Sequence, residues 1–240
     1  ANAEPVVIEA RSGDCHKCGG TRWLVMDGSG GLMPCNACGA DADIAMSRVN
    51  AIARYSSISA RQRAQTFANF DAGNSGVLAA CAKGARKWAT ERAGWFVIHG
   101  GTGNGKSHLC AAAYNAVIAM KHPALYVSAT DMLASLRAVM DDDAREAEGE
   151  SSQMRQERYM RAPVLVLDDL GAEHRTAWSE SVMFAVFDFR YRNKLPTMVA
   201  TNLDPFAGEF PARLGSRLRD DHDGFSTVIH NTARDFRVAL

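Results

Sequence analysis

Five short apolar runs punctuate the chain: WFVIHG (95–100), ALYVSA (124–129), PVLVLDDL (163–170), PTMVATNL (196–203) and STVIHN (226–231). Each is too short for a typical helix and nearly continuous in apolar character, the pattern of a strand covered on both faces. Segments with helical spacing separate them. SGVLAACAKGARKWATERAG (75–94) precedes the first run, and the alanine-rich KSHLCAAAYNAVIAM (106–120) follows it. TDMLASLRAVM (130–140), opened by Thr130 or Asp131 as a cap, and SSQMRQERYMR (151–161) lie between the second and third runs. AWSESVMFAVFDFRYRNK (177–194) lies between the third and fourth. Strands alternating with helices predict an α/β fold with a five-stranded parallel sheet flanked by helices. The acidic DDDAREAEGESSQ (141–153) reads as a solvated loop or frayed helix.

The first forty residues break this rhythm. Cys15 and Cys18 form one Cys-x-x-Cys turn, Cys35 and Cys38 a second, with sixteen residues between the pairs. Two such turns suit a tetrahedral zinc site, because each short turn aims two sulfurs at one point. Four cysteines leave no open position, so the zinc is expected to be structural. Paired disulfides or redox-active turns are the alternatives. Cys81 and Cys110, in helical segments, are expected to be buried small residues. The predicted organisation is a small four-cysteine zinc-binding module at 1–45, a connector at 46–72 and the α/β domain at 73–240.

Composition narrows the picture further. The 240 residues are 47% apolar and 22% charged, with a formal net charge of zero, so any nucleic-acid contact has to come from a local patch. No apolar run reaches the roughly 18 residues needed to cross a bilayer. The N-terminus lacks the basic start and apolar core of a secretory signal. The expectation is a cytoplasmic protein with no membrane partner.

The chemistry begins where the first strand ends. Gly100, Gly105, Lys106 and Ser107 fit the phosphate-loop pattern G-x-x-x-x-G-K-[ST]. Gly100, Gly103 and Gly105 remove side chains, so backbone N–H groups and a helix N-terminus face an anion. The run Gly101, Thr102, Gly103, Asn104, Gly105, Lys106, Ser107 and His108 is the candidate nucleotide contact. Lys106 is assigned to the β- and γ-phosphates of ATP or ADP, and the Ser107 hydroxyl to Mg²⁺. VLVLDDLG brings Asp168 and Asp169 to a strand end. Asp168 is the second Mg²⁺ group, and Asp169 is placed to polarise the attacking water, with Glu173 as rival base. Asn202, and less directly Thr201, follows the fourth strand, where a polar side chain orients water beside the γ-phosphate. Arg213 and Arg217 are four apart and share a helix face.

These motifs in this order, GGTGNGKSHL, VLVLDDLGAE, ATNL and RLGSRLRD, resemble the DnaC/DnaI/IstB group of AAA+ ATPases. TFANFDAGNSG resembles the entry segment of that group, and the likeness covers about residues 60–240. It implies that Lys106 and Ser107 are Walker A residues, Asp168 and Asp169 Walker B, and Asn202 sensor 1. It further implies that Arg217 is an arginine finger with Arg213 as companion, and that Arg237, in ARDFR, stands at sensor 2. No separate C-terminal helical lid is visible, in keeping with the group.

The resemblance implies an ATP-dependent loader that binds the hexameric replicative DNA helicase, opens its ring and delivers it to single-stranded DNA. ATP would control self-association through the nucleotide site, and the four-cysteine module would favour a loader of the DnaI kind. Arg155, Arg158 and Arg161, with Tyr159 for stacking, are candidate DNA contacts, against a plainly solvated helix face. Arg61 and Arg63 are open to the same two readings. Phe67 and Phe70 read as adenine neighbours or as core. The rival functions are an IstB-like helper of a transposase, a small-molecule kinase, and a zinc-bearing adaptor with an inactive ATPase.

Overall fold

The computed structural model describes residues 15–18, 23–25, 32–38, 40–142 and 151–237. Most of the acidic run, 143–150, lies outside the described residues. The chain divides into two compact units after Ala51.

In the first unit, β1 (Trp23–Val25) and β2 (Leu32–Pro34) pair antiparallel, with Trp23 opposite Pro34. Helix α1 (Ala40–Ala53) follows. Cys18, Cys35 and Ala40 are buried together, with Cys15 and Leu24 packed against them. This hairpin has no counterpart in the sequence pattern, since three-residue strands give no measurable alternation.

The second unit carries α2 (Ala60–Arg63), α3 (Gly76–Glu91), β3 (Trp95–His99), α4 (Lys106–Ala119), β4 (Leu125–Ser128) and α5 (Ala129–Asp142). Then come α6 (Ser152–Arg161), β5 (Leu165–Leu170), α7 (Ala177–Arg192), β6 (Thr197–Thr201), α8 (Ala212–Leu218) and β7 (Ser226–His230). Five strands form one parallel sheet in the order β4-β5-β6-β3-β7, as the alternating pattern predicts. The strand that feeds the phosphate loop, β3, is internal, flanked by β6 and β7.

Alternate residues of each strand serve opposite faces. Trp95, Val97, Leu165, Leu167 and Val199 pack under α5, α6, α7 and α8. Phe96, Ile98, Val164, Val166 and Met198 pack under α3 and α4, where Cys81 and Cys110 are fully buried. The edge of β4 is covered from the segment expected as a connector. Ser57 donates its backbone N–H to the Tyr126 carbonyl at 2.9 Å, and Ser56 Oγ accepts from the Tyr126 N–H at 3.0 Å. Asn115 Nδ2 then donates to the carbonyls of Gln62 and Gln65 at 2.9 and 2.7 Å. Residues 52–72 are therefore folded onto the second unit.

Side-chain caps start most of the helices. Ser59 and Thr176 form capping boxes, and Ser75 and Ser151 accept from backbone N–H groups of the first turn. The cap expected at Thr130 or Asp131 is instead Ser128 Oγ, which accepts from the Asp131 N–H at 3.0 Å. β4 runs directly into α5, so its last residue stands three before that amide.

Arg190 of α7 is fully buried without a carboxylate among its bonded partners. Its guanidinium donates to the carbonyls of Tyr159, Met160 and Ala162 at 3.0, 3.2 and 2.8 Å. It also donates to Pro196 O at 2.7 Å and Thr197 Oγ1 at 2.9 Å. Burial pulls its pKa down to about 9. The negative end of α6 supplies three of these acceptors and offsets that cost. Arg190 thus clamps the C-terminus of α6 to the start of β6. Arg190→Met is expected to lower stability by about 3 kcal/mol, since several buried carbonyls lose their donor at once; urea unfolding measures it.

Candidate nucleotide site

The turn from β3 to α4 is shaped by three glycines with positive φ: Gly100 at 139°, Gly103 at 66° and Gly105 at 90°. Each is also hemmed in. A Cβ would collide with the Asn231 carbonyl at Gly100 and with the Asp235 carboxylate at Gly103, and would lie 2.9 Å from the Phe70 ring at Gly105. Gly101 differs, with open space where its Cβ would be. Asn104 and Asn231, both fully buried, exchange side-chain-to-carbonyl hydrogen bonds at 2.9 Å in each direction. Helix α4 opens with no side-chain cap, so its first-turn amides are available to an anion.

Lys106 is buried at the base of the loop. Its ammonium donates to Gly100 O at 2.9 Å, Asn104 Oδ1 at 3.1 Å and Gly101 O. Burial lowers its pKa, while Asp169 and Asp168 pull it back up. Ser107 Oγ donates to Asp168 Oδ1 at 3.1 Å. Asp168 is almost wholly buried, and burial pushes its carboxyl upward against the hydrogen bond from Tyr126. A shift in β5 register between Leu167 and Leu170 turns Asp169 outward, at φ 52°. Such a bulge re-aims a side chain at the end of a strand.

Thr102 through His108, Asp168, Asp169, Asn202 and Arg237 all line one cleft of about 1410 Å³. Phe70 lines it too and meets His108 edge-on at 5.1 Å, whereas Phe67 packs among buried residues and under Arg86. Arg61, Gln62 and Asn69 also face the cleft, although the sequence does not single them out as nucleotide neighbours. Nothing in their local spacing marks them; only the packing of α2 on α4 brings them there.

Other residues lie elsewhere. Thr201 is fully buried and donates to Leu170 O at 2.6 Å, holding β5 and β6 together. Glu173 accepts from the Gly171 N–H at 2.7 Å and lines a separate cavity of about 410 Å³, as does Arg213. Arg217 is ion-paired with Asp188, lies over Phe184 at 4.8 Å and donates to Arg213 O at 2.9 Å. Neither arginine lines the cleft of its own chain. Tyr159 corrects the stacking expectation. It is buried, with its hydroxyl 2.9 Å from Ser135 Oγ, and is closed to a base. On the same helix, Arg155 donates to Ser135 O at 2.9 Å, and Arg158 lies 3.3 Å from the centre of the Tyr55 ring.

In the first unit the Sγ atoms of Cys15, Cys18, Cys35 and Cys38 all lie within 4.8 Å of one another. Cys15 and Cys35 are 3.7 Å apart, as are Cys18 and Cys38. Bonds of about 2.3 Å in a tetrahedron give edges of about 3.8 Å. A disulfide needs about 2.05 Å, and all four thiols are free. The donor set fits zinc.

The IstB-like ATP binding protein family matches residues 45–216, which takes in the phosphate loop, the acidic strand end and Asn202. The chain belongs to this family. It is therefore an ATP-binding ATPase of the AAA+ type. The uncharacterized protein YdaV of Escherichia coli strain K12 is 28% identical over 176 residues, 72% of this chain and 67% of that protein. The replicative helicase loader DnaC of the same strain is 25% identical over 158 residues, 65% of this chain and 61% of DnaC. The match thus spans about two thirds of these relatives. A crystal structure of DnaI shares the fold, with a TM-score of 0.57 at 19% identity, covering 78% of this chain and 98% of that one. The four cysteines of this IstB-like chain precede the matched region. Among the described residues no helix is long and apolar enough to cross a membrane.

Two outcomes test this geometry. Gly103→Ala is expected to lose nucleotide affinity and about 1–3 kcal/mol of stability, whereas Gly101→Ala keeps the fold unchanged, as read by thermal unfolding with and without ATP. Metal analysis of the purified chain is expected to find one zinc, lost in Cys35→Ser and on chelation.

Proposed function

We propose that the chain is an ATP-dependent loader of a replicative DNA helicase, with ATP controlling its self-association and release. The observation that carries the ATP-driven part is the single cleft that gathers Lys106, Ser107, Asp168, Asp169 and Asn202. Ser107 and Asp168 would hold Mg²⁺ between them. When bound, the ion neutralises developing phosphate charge and leaves the protein to position and polarise. Lys106 and the amides opening α4 bind the β- and γ-phosphates. Asp169, exposed on its bulge, accepts a proton from water, and Asn202 orients that water.

Arg217 lies outside the cleft of its own chain, which supports a role only at the cleft of an adjoining copy. Asp188, Phe184 and Tyr191 of α7 hold its guanidinium half-buried, so acting in trans requires it to exchange Asp188 for the transferred charge. The loader reading draws on the relatives named DnaC and DnaI and on the four-cysteine unit, as a zinc-bound grip on the helicase. Exposed Arg61, Arg63 and Arg161 are open to a single strand.

A second reading, an ATPase helper of a transposase, is favoured by the description of the matching family as IstB-like. Co-purification of the full chain with the hexameric helicase of its host separates the two. Retention of the helicase, weakened in Cys35→Ser, is the expected result; retention of a transposase instead overturns the loader. Asp169→Asn is expected to bind ATP normally and to lose hydrolysis by at least about a hundredfold, the scale of a general base. Arg217→Ala is expected to keep ATP binding and lose turnover stimulated by single-stranded DNA.

A further inference from the structure

Asp168 faces two ways. One oxygen, Oδ1, meets Ser107 Oγ at 3.1 Å and the Asp169 N–H at 3.0 Å. The other, Oδ2, accepts a buried hydrogen bond of 2.6 Å from the Tyr126 hydroxyl. Tyr126 stands on β4, one strand away from Asp168 in the sheet, and 1% of its surface is exposed.

The direction of that bond is set further back. Gln62 Oε1 accepts from the Ser59 backbone N–H at 2.9 Å, which fixes which end of the amide carries the hydrogens. Gln62 Nε2 then donates to the Tyr126 oxygen at 2.7 Å. With its oxygen engaged as acceptor, the tyrosine hydroxyl points its proton at Asp168. The chain of donors runs one way, from α2 through Tyr126 to the carboxylate.

We propose that Tyr126, oriented by Gln62, is a positioning residue that fixes Asp168 for magnesium. This rests on the reading of the cleft as a nucleotide–magnesium site. Saturating Oδ2 with a donor holds the carboxylate plane so that Oδ1 alone faces Ser107 and the cleft. Outer-shell hydrogen bonds of this kind tune metal affinity. Tyr126 does not line the cleft, and its hydroxyl is bonded to Gln62 and Asp168. Its effect is expected on the metal and not on the metal-free nucleotide.

The full chain carrying Tyr126→Phe keeps the aromatic ring against Tyr114 and loses only the hydroxyl. Binding of a fluorescent ADP analogue is titrated against Mg²⁺, and again in EDTA, and bound Mn²⁺ is followed by electron paramagnetic resonance. The expected result is a rise of about tenfold in the Mg²⁺ needed for half-maximal tightening, weaker Mn²⁺ binding, and unchanged affinity in EDTA. Gln62→Leu, at a residue that also lines the cleft, is read by the ratio of affinity with Mg²⁺ to affinity in EDTA, which is expected to fall by a smaller factor than in Tyr126→Phe, and decides the matter if Tyr126→Phe does not fold. An unchanged Mg²⁺ requirement overturns the proposal, as does an equal loss of affinity with and without metal. Wild-type chain that binds no nucleotide at all would instead overturn the reading of the cleft.

Discussion

The phosphate loop depends on places where no side chain fits. Gly100, Gly103 and Gly105 each take a backbone conformation that L side chains resist, and each is closed by a different part of the chain. Asn231 after β7 closes the first, Asp235 in the C-terminal segment the second, and Phe70 before α3 the third. The loop is thus closed by two segments far from it in sequence, the stretch before α3 and the stretch after β7. Its shape is maintained by the packing of the unit as a whole, which is why an amide pair as buried as Asn104 and Asn231 stands beside it.

From that junction the electrostatics follow. A buried ammonium on Lys106 and a buried carboxylate on Asp168 are both pushed by desolvation toward their neutral forms. Each is kept useful by local partners: carbonyls of the loop for the cation, Ser107 and Tyr126 for the anion. The parallel sheet makes this possible, because β3, β5 and β6 all end at the same edge and deliver loop, carboxylates and Asn202 side by side.

Much of this was legible in the residues. The five strands were readable because both faces of the sheet are buried, and continuous apolar runs such as PVLVLDDL carry that signal. The glycine–lysine–serine run showed the loop because its chemistry tolerates few other residues. The pairing of Gln62 with Tyr126 was invisible: they are 64 residues apart, and neither sits in a recognisable motif. Tyr159 misled because a tyrosine among arginines looks exposed, while its place on the inner face of α6 emerges only when α5 and α7 pack on it. Arg190, in FRYR near a helix end, carries no signal of burial in its local sequence, and only the carbonyls of another helix explain it.

The clamp made by Arg190 has a consequence for how this surface can change. Four of its five acceptors belong to the main chain, and the other is the Thr197 hydroxyl. Replacing outward-facing side chains of α6 leaves those carbonyls where they are. The C-terminus of the helix is therefore anchored independently of what it displays, and exposed positions such as Gln153, Met154, Glu157 and Arg161 can diversify toward new binding partners without loosening that clamp.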